Sequence, residues 1–144
     1  MGWTFHPVKT LPDPGDIVWC KFPIREAPGK PGPVTRPVLV RESSVYQHDE
    51  FGEYGAVLVS YGTGNLAMGG PDLVITPVAR ARELGLHKPT RFSLDNQSTK
   101  RLIWCEEYFV SQTYVANSGL LIGRLGDVER DRLAKCLKER GLDA

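Results

Sequence analysis

A chain of 144 residues with 41% hydrophobic and 24% charged side chains has the make-up of one globular domain that buries a core without staples. Disordered, collagen-like and coiled-coil classes are excluded. Eighteen Lys and Arg against 17 Asp and Glu leave a net charge of +1, so any nucleic-acid binding has to come from a local patch.

The three cysteines, Cys20, Cys105 and Cys136, lie far apart without CxxC or Cys/His spacing, which suits core thiols in a reducing cytosol. His6, His48 and His87 are equally scattered, so neither a metal nor a cofactor is expected. No apolar run of signal-peptide or membrane-spanning length occurs, and a soluble, cytoplasmic protein is the expectation. Prolines 7, 12 and 14 punctuate residues 1–14, which read as an extended arm ahead of a single domain over 15–144.

Residues 16–22 alternate two apolar faces, Ile17 and Trp19 against Val18, Cys20 and Phe22, the pattern of a strand with little exposed surface. Residues 23–35 hold four prolines and two glycines together with Arg25 and Lys30, and form a long loop. A second strand starts at Pro37, a hydrophilic stretch over 43–53 reads as an excursion or hairpin, and residues 54–61 make a third strand. Four glycines in residues 62–70 mark a turn.

Residues 73–75 are a short strand candidate. Thr76 and Pro77 then suit the N-cap and first position of a short helix over 78–84, which Gly85 ends. Strands are expected at 90–94 and 102–110, joined as a hairpin by the polar residues 95–101. Asp127 suits the N-cap of a terminal helix whose stripe of Val128, Leu133, Cys136 and Leu137 faces the core. The sum is a mainly β, α+β architecture: a small antiparallel β-barrel with a short helix in a late connection and a C-terminal helix packed on it.

Three stretches carry a resemblance. GDIVW begins at Gly15, TRPVLV begins at Thr35 beyond the Pro/Gly loop, and AVLVSYGTGN begins at Ala56. In this order they resemble the MazF/PemK family of toxin endoribonucleases, and the helix expected over 127–140 falls where that family has its last helix. The resemblance implies a dimeric, SH3-like barrel that cuts single-stranded RNA without metal, arrests growth, and is held in check by a cognate antitoxin protein. The family's loop arginine falls on Arg36 and its strand-end threonine on Thr63. In the PemK-like branch an acidic residue follows an arginine and a cysteine in a late strand. Glu106 takes that acidic position beside Cys105, Trp104 stands where the arginine would be, and Lys30 stands near a histidine assigned to acid work.

Those residue types suit the chemistry. RNA brings its own nucleophile, the 2′-hydroxyl, so a protein need only position it, move two protons and stabilise charge. Arg36 would bind the non-bridging phosphate oxygens in a planar fork, Thr63 would hydrogen-bond the phosphate, and Glu106 would transfer a proton. Arg25, Lys30, Trp19 and Tyr61 are the candidates for phosphate contact and base stacking. Each has a plainer reading: an extended surface arginine, a turn hydroxyl, a solvated strand end, a loop lysine. The alternative function is a non-catalytic binding module on the same barrel, either gyrase-inhibitor-like or a generic SH3-like interaction domain, which the replacement of arginine by Trp104 favours.

Overall fold

The computed structural model describes residues 2–67, 70–111 and 119–142. Seven strands, β1 (Asp16–Cys20), β2 (Arg36–His48), β3 (Gly52–Thr63), β4 (Leu73–Ile75), β5 (Thr90–Phe92), β6 (Thr99–Ile103) and β7 (Leu121–Arg124), form one curled antiparallel sheet, a half-barrel. A short helix, α1 (Val78–Glu83), follows β4, and the C-terminal helix is α2 (Asp127–Glu139). The strand order is β4-β5-β3-β2-β1-β7, with β6 also paired to β3. The expected mainly β fold with one short and one terminal helix is the fold observed. No helix among the described residues is long and apolar enough to cross a membrane.

Burial explains why β1 and β2 carry apolar residues at consecutive positions. Every residue of β1 is buried. Val18, Cys20, Val38 and Val40 point into one core with Val57, Val59, Trp104 and Phe109, while Ile17 and Leu39 point into a second with Leu73, Ile75, Phe92 and Leu125. A sheet covered on both faces needs no polar alternation.

Several elements extend beyond, or depart from, what residue patterns suggest. Of the two readings of the hydrophilic residues 43–53, the hairpin is the one observed, and it lengthens both strands: the β2 and β3 ladder runs unbroken from Ser43 opposite Val57 to His48 opposite Gly52. Side-chain pairs hold this ribbon, with Tyr46 and Tyr54 stacked at 5.6 Å and His48 on Phe51 at 3.8 Å. β5 and β6 do not form a hairpin with each other. Both pair with β3, β5 at Gly62 and Thr63 and β6 from Ala56 to Ser60.

The expected strand over 102–110 stops at Ile103. Beyond it the chain turns, Phe109 N–H donating to the Cys105 carbonyl at 2.9 Å, and Lys21 N–H reaches the Tyr108 carbonyl at 2.7 Å to join the start of the sheet to its late turn. The N-terminal arm lies along this same segment. His6 N–H donates to the Trp104 carbonyl, Glu106 N–H to the Thr4 carbonyl, and the Trp104 indole to the Thr10 hydroxyl at 3.0 Å. The arm also contains a single 3-10 turn, Val8–Thr10.

β7 carries no pattern that announces a strand, because it is only four residues long and none of them is buried. Gly123 within it lies so close to the Leu84 carbonyl that no Cβ fits, which is why a glycine interrupts the run. The helix caps shift by one residue: Pro77 and Gly126 occupy the N-cap positions, and neither Thr76 nor Asp127 does.

The stripe of α2 is less buried than its periodicity implies. Leu133, Cys136 and Leu137 are half-buried and Val128 is 61% exposed, while the buried residue of the helix is Glu129. Ionic ties dock the helix. Arg80 grips Glu129 in a bidentate pair at 2.7 and 2.9 Å, and Arg140 donates to Asp72 at 2.7 Å. Arg132 donates to the Val74 carbonyl.

Candidate functional site

A groove of about 870 Å³ opens between the loop over residues 23–35 and the ends of β3 and β6. Four prolines restrict φ along that loop, and Gly32 N–H donates to the Lys21 carbonyl at 3.0 Å, fastening its return to the strand it left. Phe22, Ile24, Arg25, Glu26, Val34 and Arg36 form the loop side of the groove, and Tyr61, Gln97, Ser98 and Lys100 form the sheet side.

Arg36 begins β2 opposite Cys20, and its guanidinium carbon lies 5.6 Å from the centroid of the Tyr61 ring. The ring is half-buried and meets the Phe22 ring in a tilted pair, centroids 5.4 Å apart. Arg25, Arg36 and Lys100 put three cations around this aromatic floor against the single carboxylate of Glu26. A chain of net charge +1 thus concentrates positive charge in one groove beside a π face. Cations that match phosphate oxygens, next to a ring on which a base can stack, suit single-stranded nucleic acid.

The structure brings three of the expected site residues together, Arg25, Arg36 and Tyr61. Thr63 sits two residues beyond Tyr61 on the same face of β3 but outside the groove lining, and its hydroxyl accepts the Asn65 N–H at 3.2 Å. Glu106 is exposed in the turn after β6, beside the N-terminal arm. Lys30 is exposed on the loop away from the lining, and Trp19 is 9% exposed within β1.

Trp104 is 2% exposed, packs against Phe109 and His6, and occupies a position with no access to the groove. The thiols of Cys20 and Cys105 are pushed up by burial, Cys105 to about 11, so neither supplies a thiolate nucleophile at neutral pH. Among the described residues no three His, Cys, Asp or Glu side chains gather as a metal site would require.

Four lining residues, Glu26, Gln97, Ser98 and Lys100, escape a reading of the sequence. Glu26 looks like one more charge in a loop. The other three belong to a polar stretch whose hairpin-like composition hides that it borders β3.

No family model matches the chain, and no curated protein matches it either.

Proposed function

We propose that the groove binds single-stranded RNA and that the protein is a metal-independent endoribonuclease, the activity implied by its resemblance to the MazF/PemK toxins. The observation that carries this reading is the convergence of Arg25, Arg36 and Lys100 around the Tyr61 ring. In this mechanism a base stacks on Tyr61 and the adjoining phosphate is held by Arg36. The 2′-hydroxyl loses its proton and attacks that phosphate, breaking the bond to the 5′-oxygen of the next nucleotide, which takes a proton from water to leave as a 5′-hydroxyl, and a 2′,3′-cyclic phosphate remains. Arg36 stabilises the charge that builds on the non-bridging oxygens.

Glu26, the carboxylate within the groove, takes the 2′-hydroxyl proton in this reading, and Glu106 is its rival for that role. Growth arrest, a cognate antitoxin and a homodimer belong to the same proposal. Incubation with RNA in EDTA tests it: wild type should yield products ending in cyclic phosphate, and Arg36→Ala should yield at least about a hundredfold fewer. Intact RNA with wild type, or equal cleavage by Arg36→Ala, overturns the reading.

A second reading, a non-catalytic binding module on the same half-barrel, draws on Trp104. An indole buried in the core there supplies no groove cation. Binding of RNA without cleavage by wild type would favour it.

A further inference from the structure

The cations of the groove meet phosphates and the Tyr61 ring meets base faces, both of which all nucleotides share. Neither distinguishes one base from another. We propose that Gln97 is the residue that reads base identity in this groove, an inference that rests on the RNA reading above.

Its placement carries the argument. β5 and β6 lie along the same edge of β3, and residues 93–98 bulge out where one gives way to the other. Both feet of the bulge are fixed to one residue, Tyr61: its N–H donates to the Ser98 carbonyl at 2.8 Å and its carbonyl accepts the Ser93 N–H at 2.9 Å. The interior is latched by Asp95, whose carboxylate accepts the Ser93 hydroxyl at 3.0 Å and the Ser98 N–H at 2.8 Å. Leu94 N–H donates to the buried Asp72 carboxylate at 3.0 Å, fixing the bulge from beneath.

A rigid bulge therefore holds Gln97 at the groove beside the ring on which a base would stack. Gln97 is itself exposed, and among the described residues its carboxamide is engaged with no other side chain. A carboxamide presents a donor and an acceptor side by side. On the edge opposite the sugar-proximal groove that pair selects adenine, whose N6 amino group donates beside the N7 acceptor, because guanine offers two acceptors there and a pyrimidine has no N7; this is the edge that Gln97 reads. Asp95 acts through Gln97 as a positioning residue and touches no substrate.

Fluorescence anisotropy with labelled hexanucleotides of A, C or U, 2′-O-methylated so that none is cut, tests the assignment. Wild type should bind the adenine hexamer at least about tenfold tighter than the other two. Gln97→Ala should bring the three affinities to within about threefold by weakening adenine alone. Asp95→Ala should narrow the preference in the same way, with unchanged circular dichroism in both variants. Equal binding of the three hexamers by wild type, or an adenine preference that Gln97→Ala leaves intact, overturns the role of Gln97 while the RNA reading stands. Failure of wild type to bind any hexamer overturns both.

Discussion

Arg36 lies over the ring of Tyr61, 5.6 Å from its centroid, although the two residues are on different strands and 25 positions apart. The β2 and β3 register explains the meeting. Tyr61 is paired with Val38, two residues beyond Arg36, so Arg36 and Tyr61 are diagonal neighbours on one sheet surface. A cation and a π face are thus held by the most extensive ladder in the molecule rather than by a loop.

That arrangement separates two contributions to RNA binding. Tyr61→Ala should weaken a single-stranded oligonucleotide about 10- to 100-fold, the loss of one base stack, and Tyr61→Phe should bind nearly as wild type. Arg36→Ala should instead flatten the salt dependence, lowering the slope of log affinity against log salt by about 0.7. Titrations at several salt concentrations check both, and a Tyr61→Ala variant that binds as wild type removes the stacking role.

Glu26 and Glu106 differ in place, one within the groove and one beside the N-terminal arm. Glu26→Gln should slow cleavage about 10²- to 10⁴-fold while leaving oligonucleotide affinity within a few-fold. Glu106→Gln should leave the rate unchanged. Single-turnover cleavage read beside anisotropy separates the two, and the reverse pattern would transfer the proton-accepting role to Glu106.

Asp72 is the anchor between the sheet and α2. Its carboxylate is 1% exposed and accepts from Arg91 at 2.8 Å, Arg140 at 2.7 Å and Leu94 N–H at 3.0 Å. Asp72→Ala strands two guanidinium groups and a buried N–H, and should cost about 3–5 kcal/mol. Thermal unfolding should show a fall in Tm on the order of 10 °C. A change within 2 °C, on the order of experimental scatter for so small a domain, would mean that α2 is held without this residue.

The docking of α2 also sets an acid limit. Hydrogen bonds from Arg80 hold the Glu129 carboxyl below its usual value of 4.5, and they outweigh the opposing effect of burial. Folding therefore favours the ionised form. Its stabilisation is complete above the unfolded value and is lost as pH falls below it through the folded value, because there the unfolded chain binds the extra proton. Wild type should lose more stability than Glu129→Gln between pH 5 and about pH 3, which denaturant melts across that range would measure. Parallel pH curves for the two proteins would exclude the linkage.

How far the molecule can be read from its residues varies by element. The apolar run from Ile17 to Cys20 and the Arg-Pro step at Arg36 announce strands because the period-2 pattern is local. The turn at Gly85 is equally legible, whereas Gly62, which reads as the start of a turn, is still paired with Phe92 inside β3. The pairing of β5 and β6 with β3 is not local. Asp95 and Ser98 read as hairpin polarity, whereas they latch a bulge onto Tyr61, a relation that only the sheet edge creates.

The terminal helix misleads for a related reason: Val128, Leu133 and Leu137 keep the correct spacing, but its docking is carried by Arg80, Arg140 and their carboxylates, which periodicity treats as solvent-facing. In the groove, Arg36 is legible because Pro37 and the preceding loop fix its context. Lys100 is not, since its neighbours across the strand are unknown until β6 is placed.

The two-sided burial of β1 and of Val38–Val40 in β2 weakens a safeguard that most sheets possess. In a sheet with one wet face, sliding a strand by one residue would drive apolar side chains into water, and that penalty enforces alignment. Over Val38–Val40 a slip would exchange Leu39 with Val38 or Val40 between two apolar interiors, so the polar penalty falls only at the end of that stretch, where Arg41 would enter a buried position. Alignment then depends on shape. Gly62 offers the clearance that the Pro37 carbonyl and the Phe92 ring require, since a Cβ there would come within 2.6 and 2.9 Å of them. The irregularity between Val40 and Glu42 adds a step that fits only one phase of the ladder. A methyl group placed at position 62 would therefore challenge the phase of the ladder that brings Arg36 and Tyr61 together, far more than it would alter the hydrophobic content of the chain.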